Sequence, residues 1–208
     1  MFQVVHHTLA EHWLAEIRNE QTPATRFREA VRKLGALLAA EVLRDAPLTE
    51  TPIQTPCGLA IGRQLANQTI LVPVLRAGLV YAEGMAEIIP NAIFGHIGLF
   101  RDECTHRPVP YFSKLPRKLA GTQILIADPM LATGHSAVAA VDTVLNAGAE
   151  PEQIRFLALV AAPEGVRCFE AAHPHIDIRA FALDERLNDQ AYIVPGLGDA
   201  GDRLFGTC

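Results

Sequence analysis

One stretch of the chain combines a carboxylate, two small hydroxyls and a glycine where an apolar run gives way to a helical pattern. The apolar run of residues 124–127 ends in Asp128, and Thr133, Gly134 and Ser136 follow before an Ala- and Val-rich segment. Backbone N–H groups at a helix N-terminus lack partners and lie at the positive end of the helix dipole, so they bind phosphate. Because a carboxylate does not attract phosphate, Asp128 suits a sugar hydroxyl or a hydrated metal ion. The stretch therefore predicts a site for a phosphorylated sugar.

Two arginines follow other apolar runs. Arg76 comes after the run of residues 69–74 and precedes Gly78, and Arg101 comes directly after the run of residues 92–100. A guanidinium can meet phosphate oxygens with two parallel hydrogen bonds. Taken alone, Arg76 is better explained as a surface arginine beside an ordinary turn. Both arginines become candidates only together with the phosphate site.

The C-terminal segment, residues 192–207, has a glycine every few residues and a carboxylate at Asp199. Glycine allows backbone turns that other residues disfavour and lets the chain approach a flat ligand closely. The alternative is an irregular tail of turn residues, but its apolar residues favour a loop that packs down onto the protein. The charged run that precedes it, residues 184–186, is expected to be a solvated turn.

The elements that must position these residues can be predicted from periodicity. Helical spacing covers residues 6–20 and 24–44, and residues 50–62 are expected to form an edge hairpin. From residue 69 onward strands and helices alternate. The strands are expected at 69–74, 92–100, 123–127, 154–161 and 176–183, and the helices at 78–89, 136–147 and 164–172. This alternation favours an α/β fold with a mostly parallel sheet covered by helices on both faces, where ligands bind beyond the carboxyl ends of the strands.

Composition excludes several classes of protein. The 208 residues carry 18 Lys and Arg against 23 Asp and Glu, a net charge of −5, which argues against a nucleic-acid or anionic-membrane binder. The four cysteines form no C-x-x-C pair, so we expect reduced thiols in a cytosolic protein. We also expect no signal peptide and no membrane span, since no apolar run reaches about 18 residues.

Taken together, these residues resemble the uracil phosphoribosyltransferase family over nearly the whole chain. The matching stretches are residues 72–78, 95–102, 128–134, 159–165 and 192–202, and residues 25–29 also look like the family. Five blocks in the same order are far more specific than any single loop. The last block distinguishes this family from other phosphoribosyltransferases.

The resemblance implies transfer of a 5-phosphoribosyl group from phosphoribosyl pyrophosphate (PRPP) to N1 of uracil, giving UMP and pyrophosphate. It also implies a phosphoribosyltransferase-type fold in one domain. Residues 1–62 would form N-terminal helices and the edge hairpin, 63–183 the core, and 184–208 a base-binding hood. Two rivals remain: an enzyme of the same fold that uses another base, and a catalytically weak PRPP or nucleotide sensor that binds RNA.

The family's functional residues can be carried over onto matching positions. Catalysis is assigned to Arg76, Arg101, Asp128 and Asp199. The PRPP-binding residues would be Arg76, Arg101, Asp128, Pro129, Met130, Leu131, Ala132, Thr133, Gly134, His135, Ser136 and Asp199. The uracil-binding residues would be Ile193, Gly198, Asp199 and Ala200, acting chiefly through backbone groups.

The resemblance also implies a cofactor and partners. Mg²⁺ would be the cofactor, held by Asp199 indirectly, through PRPP or water. PRPP and uracil would be the substrates, and the chain would form a homodimer or homotetramer in the cytoplasm. GTP activates some relatives, and the sequence leaves open whether it activates this chain. No nucleic-acid or membrane partner is expected.

The chain departs from the family pattern at two positions. The family usually has Thr-Gly-Gly-Ser in the phosphate loop, whereas this chain has His135 in place of the second glycine. Histidine is unfavourable there if that position needs a positive φ, but it is harmless if only its N–H serves phosphate. We expect phosphate binding to be retained. Arg186 replaces a residue that is usually glycine and leaves regulation or loop motion near the hood open.

Overall fold

The computed structural model describes residues 1–89, 91–101 and 108–207. The strands are β1 (Phe2–Val4), β2 (Leu48–Thr55), β3 (Gly58–Leu65), β4 (Thr69–Leu75), β5 (Ile93–Phe94), β6 (His96–Arg101), β7 (Pro108–Lys114), β8 (Gln123–Ala127), β9 (Met130–Leu131), β10 (Ile154–Ala161), β11 (Asp177–Leu183), β12 (Arg186–Leu187) and β13 (Ile193–Val194). The helices are α1 (Thr8–Arg18), α2 (Ala24–Val42), α3 (Gly78–Ile88), α4 (His135–Asn146), α5 (Pro163–Ala172) and α6 (Ala200–Phe205).

A single sheet runs through the centre of the protein in the order β1-β11-β10-β8-β4-β6-β7. Its pairings are parallel except for β6 with β7, which is antiparallel. Two short strands extend it: β5 pairs with the amino end of β4, and β9 pairs with the carboxyl end of β10. The predicted α/β fold with a mostly parallel sheet is therefore confirmed. β1 was not predicted, and it brings the N-terminal segment into the sheet beside β11.

Helices cover both faces of the sheet, as its residue pattern requires. In β8, Ile124 and Ile126 belong to the hydrophobic cluster under α4 and α5, whereas Leu125 and Ala127 belong to the cluster under α1, α2 and α3. Successive residues of a strand point to opposite faces, so a continuous apolar run is the pattern expected of a strand buried on both sides. This explains why β4, β8 and β10 contain so few polar residues.

Two parts of the chain stand apart from the sheet. Strands β2 and β3 form a two-stranded antiparallel hairpin, longer than the predicted one by two or three residues at each end. Residues 184–207 form the hood, which contains the two-residue strands β12 and β13 and the short helix α6. Among the described residues there is no helix with the length and apolar character needed to cross a membrane.

Candidate active site

The loop after β8 leads directly into α4 and encloses a small cavity. Gly134 precedes the helix with a φ of 87°, and α4 begins at His135. A cavity of about 140 Å³, here called the loop cavity, is lined by Asp128 and by residues 130–137. Pro129 does not line it, because its carbonyl turns away and accepts hydrogen bonds from Leu159 and Val160 of β10. The remaining residues predicted to cradle phosphate thus surround one cavity at a helix N-terminus.

Two glycines allow α5 to press against this loop. A Cβ on Gly134 would lie 2.7 Å from the carbonyl oxygen of Gly165 and 2.8 Å from the Cβ of Cys168. A Cβ on Gly165 would overlap the carbonyl oxygens of Leu131 and Ala132. Gly134 also occupies the left-handed region of φ, where an L side chain is strained. The loop therefore keeps its shape through close backbone packing as well as through its own turns.

The position of His135 settles the question raised by the sequence. The positive φ falls on Gly134, and His135 has the ordinary helical conformation at the first position of α4. Its side chain is exposed, and its Nδ1 lies 3.6 Å from the Sγ of Cys168 on α5. Histidine therefore fits the loop without backbone strain, and its N–H stays at the helix N-terminus.

A second cavity joins the loop to the hood. This hood cavity, about 260 Å³, is lined by residues from three predicted segments, among them Arg76, Asp128, Ser136, Asp199 and Ala200. It shares Asp128, Met130 and Ser136 with the loop cavity, so the two cavities are neighbours. Residues that were not predicted also line it: Val74, Leu75, Ala77, Leu99 and Gly201. Ile193 and Gly198 belong to the hood but do not line this cavity.

Arg76 lies at the cavity edge with 57% of its side chain exposed. Its Nη2 is 3.5 Å from Oδ1 of Asp202, and its guanidinium lies 5.7 Å from the ring centroid of Phe205. A long, exposed ion pair contributes little free energy. Exchange of this carboxylate for a phosphate that fits both guanidinium nitrogens would therefore cost little.

Asp128 has an altered proton affinity. It follows β8 and accepts one hydrogen bond from the Met130 N–H at 3.2 Å. Burial raises the pKa of Asp128 to about 7, and the Met130 hydrogen bond only partly offsets this rise. Although part of the residue remains accessible from the cavities, it lies deep between the core strands and α4. The pKa of the buried Tyr81 is also raised well above its usual range, mainly by its own burial and also by the negative charge of Asp128.

Asp199 has a structural partner as well as a place in the site. It is the N-cap of α6 and accepts a hydrogen bond from Asp202 N–H at 2.8 Å. The residue is exposed and lines the hood cavity with Ala200. A carboxylate held in this way has its orientation fixed while facing the cavity.

Arg101 is the last residue of β6, at the same sheet edge as Arg76 and Asp128. Its side chain and residues 102–107 lie outside the described portion of the chain, and with them the end of the matching block 95–102. The role assigned to Arg101 stays a prediction.

One expectation about the hood was wrong at Asp184. Residues 184–186 were expected to form a solvated turn, but Asp184 has only 5% of its side chain exposed and forms an ion pair with Arg18 at 2.6 Å. Glu185 and Arg186 are exposed and pair with each other. Neither Arg18 nor Asp184 was a candidate from sequence, since nothing in local spacing connects residues so far apart.

A larger cavity lies at the opposite edge of the sheet. Its volume is about 530 Å³, and its lining includes Gln123, Arg155 and Arg179 near the amino ends of β8, β10 and β11. Open parallel sheets bind ligands at the carboxyl ends of their strands. We therefore take the loop and hood cavities, and not the larger one, as the candidate active site.

Comparison with known sequences points to one family. The uracil phosphoribosyltransferase family profile matches residues 4–207. The uracil phosphoribosyltransferase of Pediococcus pentosaceus is 52% identical over 207 residues, which cover 99% of this chain and 98% of that protein. That of Dictyoglomus turgidum is 47% identical over 208 residues and the whole length of both chains.

Comparison with solved structures agrees. A protein from Aquifex aeolicus superposes with a TM-score of 0.93 at 37% identity and covers 99% of this chain and 98% of its own. A purine phosphoribosyltransferase from Pyrococcus horikoshii superposes with a TM-score of 0.52 at 16% identity, over 75% of this chain and 84% of its own. At that identity, the second likeness shows the fold alone.

The geometry of the loop predicts that His135 is tolerated and Gly134 is required. In calorimetric titrations with PRPP, His135→Gly should bind within about threefold of the wild type, since exposed substitutions usually change free energies by about 0.5 kcal/mol. Gly134→Ala should bind about five- to thirtyfold more weakly, because positive φ costs a non-glycine residue about 1–2 kcal/mol. An affinity gain above about tenfold in His135→Gly would show that histidine distorts the loop.

Proposed function

The chain belongs to the uracil phosphoribosyltransferase family, and on that premise we propose that the loop and hood cavities are where the family's reaction takes place. In this reaction the 5-phosphoribosyl group of PRPP passes to N1 of uracil, giving UMP and pyrophosphate. The observation that carries the proposal is the hood cavity, whose walls bring Arg76, Asp128, Ser136 and Asp199 together from distant parts of the sequence.

The loop cavity suits the ribose 5-phosphate end of PRPP. Residues 133–136 line it at the N-terminus of α4, where unpaired backbone N–H groups and the helix dipole favour a phosphate. Asp128 lies where this cavity meets the hood cavity. A carboxylate at that point accepts hydrogen bonds from ribose hydroxyls when it is ionised. Asp128 and the loop together would fix the sugar by both ends.

The pyrophosphate is assigned to the edge of the hood cavity. Arg76 lies there, and we keep Arg101 in the proposal because it ends the neighbouring strand β6. Asp128 and Asp199 both line the cavity, and Mg²⁺ typically uses one or two carboxylates together with substrate phosphates. The residues present therefore fit an Mg²⁺ that is held largely by PRPP, with Asp199 in indirect contact. When bound, the ion would neutralise charge on the departing pyrophosphate.

Uracil is assigned to the hood, through Ile193, Gly198, Asp199 and Ala200. Uracil offers two acceptors, O2 and O4, and a donor at N3. Fixed backbone N–H and C=O groups can match that pattern, whereas the amine of cytosine would leave a buried group mispaired, at a cost of about 1–3 kcal/mol. Ala200 lines the hood cavity, and Ile193 is buried below it in the hood.

The chemistry requires alignment more than a nucleophile. Cleavage of the bond between C1′ and the pyrophosphate oxygen develops positive charge on the sugar and negative charge on the leaving group. A protein that holds the ribose by the loop and the base by the hood places N1 of uracil close to C1′. Arg76 would stabilise the negative charge as it develops. The site assignments thus agree with a direct transfer.

Assembly and regulation form a finer part of the proposal. The β2–β3 hairpin exposes several large apolar side chains, Leu48, Ile53, Leu59, Ile61 and Leu65. Exposed apolar patches of this kind mark interaction surfaces. We propose that they pack against another copy of the chain in a homodimer or homotetramer. The proposal of activation by GTP rests on family resemblance alone. The proposal of a cytoplasmic location rests on family resemblance and on the scattered cysteines.

Pyrophosphate release separates the proposed function from its rivals. With PRPP and Mg²⁺, uracil should support turnover, whereas cytosine, hypoxanthine and buffer without base should not. The same assay without Mg²⁺ tests the cofactor, and the assay with added GTP tests the activator. Light scattering of the same sample gives the mass of the assembly, and fractionation of source cells tests the location. Activity with hypoxanthine but not uracil would refute the assignment, and no turnover with any base would favour a sensor.

The raised pKa of Asp128 predicts a specific pH dependence. Below about pH 7 the carboxyl is mainly protonated and accepts ribose hydroxyls poorly. The wild-type kcat/KM for PRPP should therefore fall by up to about tenfold for each pH unit below that value. Asp128→Asn should be less active at every pH. Its kcat/KM should still change near pH 6, because the phosphate of the substrate titrates there.

Asp142→Asn is the matched control, since Asp142 is an exposed carboxylate further along α4. It should keep the wild-type profile. A wild-type profile that stays flat from pH 8 down to pH 6, or one that Asp128→Asn leaves unchanged, would contradict the role given to Asp128.

A further inference from the structure

The backbone of the hood has little regular structure to hold it. Between β13 and α6 the chain runs through residues 195–199, with positive φ at Gly196 and Gly198. Buried carbonyl and N–H groups in such a segment need partners from elsewhere. The partners come from charged side chains of the hood itself and from the N-terminal helical region, at the other end of the chain.

Arg18, the last residue of α1, forms hydrogen bonds with two residues of the hood. Its two terminal nitrogens donate to both carboxylate oxygens of Asp184 at 2.9 and 2.6 Å. The Nη1 also donates to the carbonyl oxygen of Gly196 at 2.8 Å, and the Gly196 N–H donates back to Asp184 at 2.9 Å. Both backbone groups of Gly196 are thus fixed by one ion pair, in which only 25% of the Arg18 side chain and 5% of the Asp184 side chain are exposed.

A second arginine ties the other end of this loop to the same helices. Arg203 of α6 donates to the carbonyl oxygens of Leu197 at 2.7 Å and Asn19 at 2.6 Å, and also to that of Ile17. Its guanidinium lies 4.3 Å from the ring centroid of the buried Phe27 on α2. The loop is therefore held on both sides, and apart from Asp184 and Arg203 of the hood its partners in these bonds belong to residues 17–27.

Apolar packing follows the same division. The buried hood residues Ile193, Leu197, Ala200 and Leu204 belong to the hydrophobic cluster of α1 and α2. The helix α4, which starts at the phosphate loop, contributes its buried residues to the other cluster. The hood and α4 thus pack into different hydrophobic clusters, whereas Met130 and Ala132 of the loop pack against the cluster that contains the hood residues.

From these contacts we propose that Arg18, paired with Asp184, is a positioning residue that sets uracil affinity without setting PRPP affinity. Bidentate arginine–carboxylate pairs fix geometry as well as supply energy, and a loop whose backbone reads a base depends on that geometry. The inference rests on the proposed assignment of residues 193–200 to uracil. Arg18 lines neither the loop cavity nor the hood cavity, so it would act through Gly196.

The test compares Arg18→Ala and Arg18→Lys with the wild type in steady-state assays. In Arg18→Ala the KM for uracil should rise by about tenfold or more, the loss expected when a charged hydrogen-bond donor is removed. The KM for PRPP should stay within about threefold. The uracil KM of Arg18→Lys should lie between those of the wild type and Arg18→Ala, since lysine keeps the positive charge but cannot donate two parallel hydrogen bonds. Millimolar ethylguanidinium should restore uracil KM in Arg18→Ala and leave the wild type unchanged.

Arg32→Met is the control for general damage, because Arg32 joins α2 to α3 through Glu83 at 2.7 Å and lies outside the hood contacts. It should lower the thermal midpoint without changing the ratio of the two KM values. Equal rises of both KM values in Arg18→Ala, or an unchanged uracil KM, would overturn the inference. Absence of uracil turnover in the wild type would instead overturn the proposed function. If Arg18→Ala does not fold, the near-isosteric Asp184→Asn must show the same split.

Discussion

The parallel pairing of β4 with β8 is the constraint on which the site depends. Its register sets Pro73 beside Ala127, so that Arg76 and Asp128 leave the sheet at the same edge. Both strands are buried on both faces by apolar side chains. A shift of two residues would keep each side chain on its own face yet move the two functional groups apart by roughly 7 Å along the strands. Core packing that specifies this register therefore also sets the distance between Arg76 and Asp128. The close contact of α5 with the loop after β8 fixes the remaining wall of the proposed site.

The two halves of the proposed site are built from different parts of the chain. The middle of the sequence supplies the sheet edge, the phosphate loop and α4. The two ends of the sequence supply the side proposed for the base, because Arg18 and Arg203 join the hood to residues 17–19 through hydrogen bonds that are partly buried or exposed. The hood cavity lies between them and is lined by Asp128 and Ser136 from the middle of the sequence and by Asp199 from its end. In the proposed site, the sugar phosphate and the base are therefore held by different parts of the chain.

Much of the core could be predicted from sequence for a physical reason. β8 and β10 have the predicted bounds, because a strand buried on both faces is a continuous apolar run that ends sharply at polar or glycine residues. β1 and β7 were missed, since one has three residues and the other contains two prolines. The pairing of Arg18 with Asp184 could not be predicted, because an ion pair between residues 166 positions apart leaves no trace in local periodicity. For the same reason Asp184 was wrongly placed in a solvated turn. The backbone conformation at Gly134 and His135 likewise needed coordinates.

A structure of the protein with UMP bound tests the central claim most directly. The phosphate should lie within about 3 Å of backbone nitrogens of residues 133–136, the distance of a normal hydrogen bond. The ribose hydroxyls should face Asp128, and the edge of the uracil ring should meet the backbone of residues 193–200. A phosphate beside Arg155 and Arg179, in the cavity at the amino ends of the strands, would contradict the account, as would a uracil ring outside the hood.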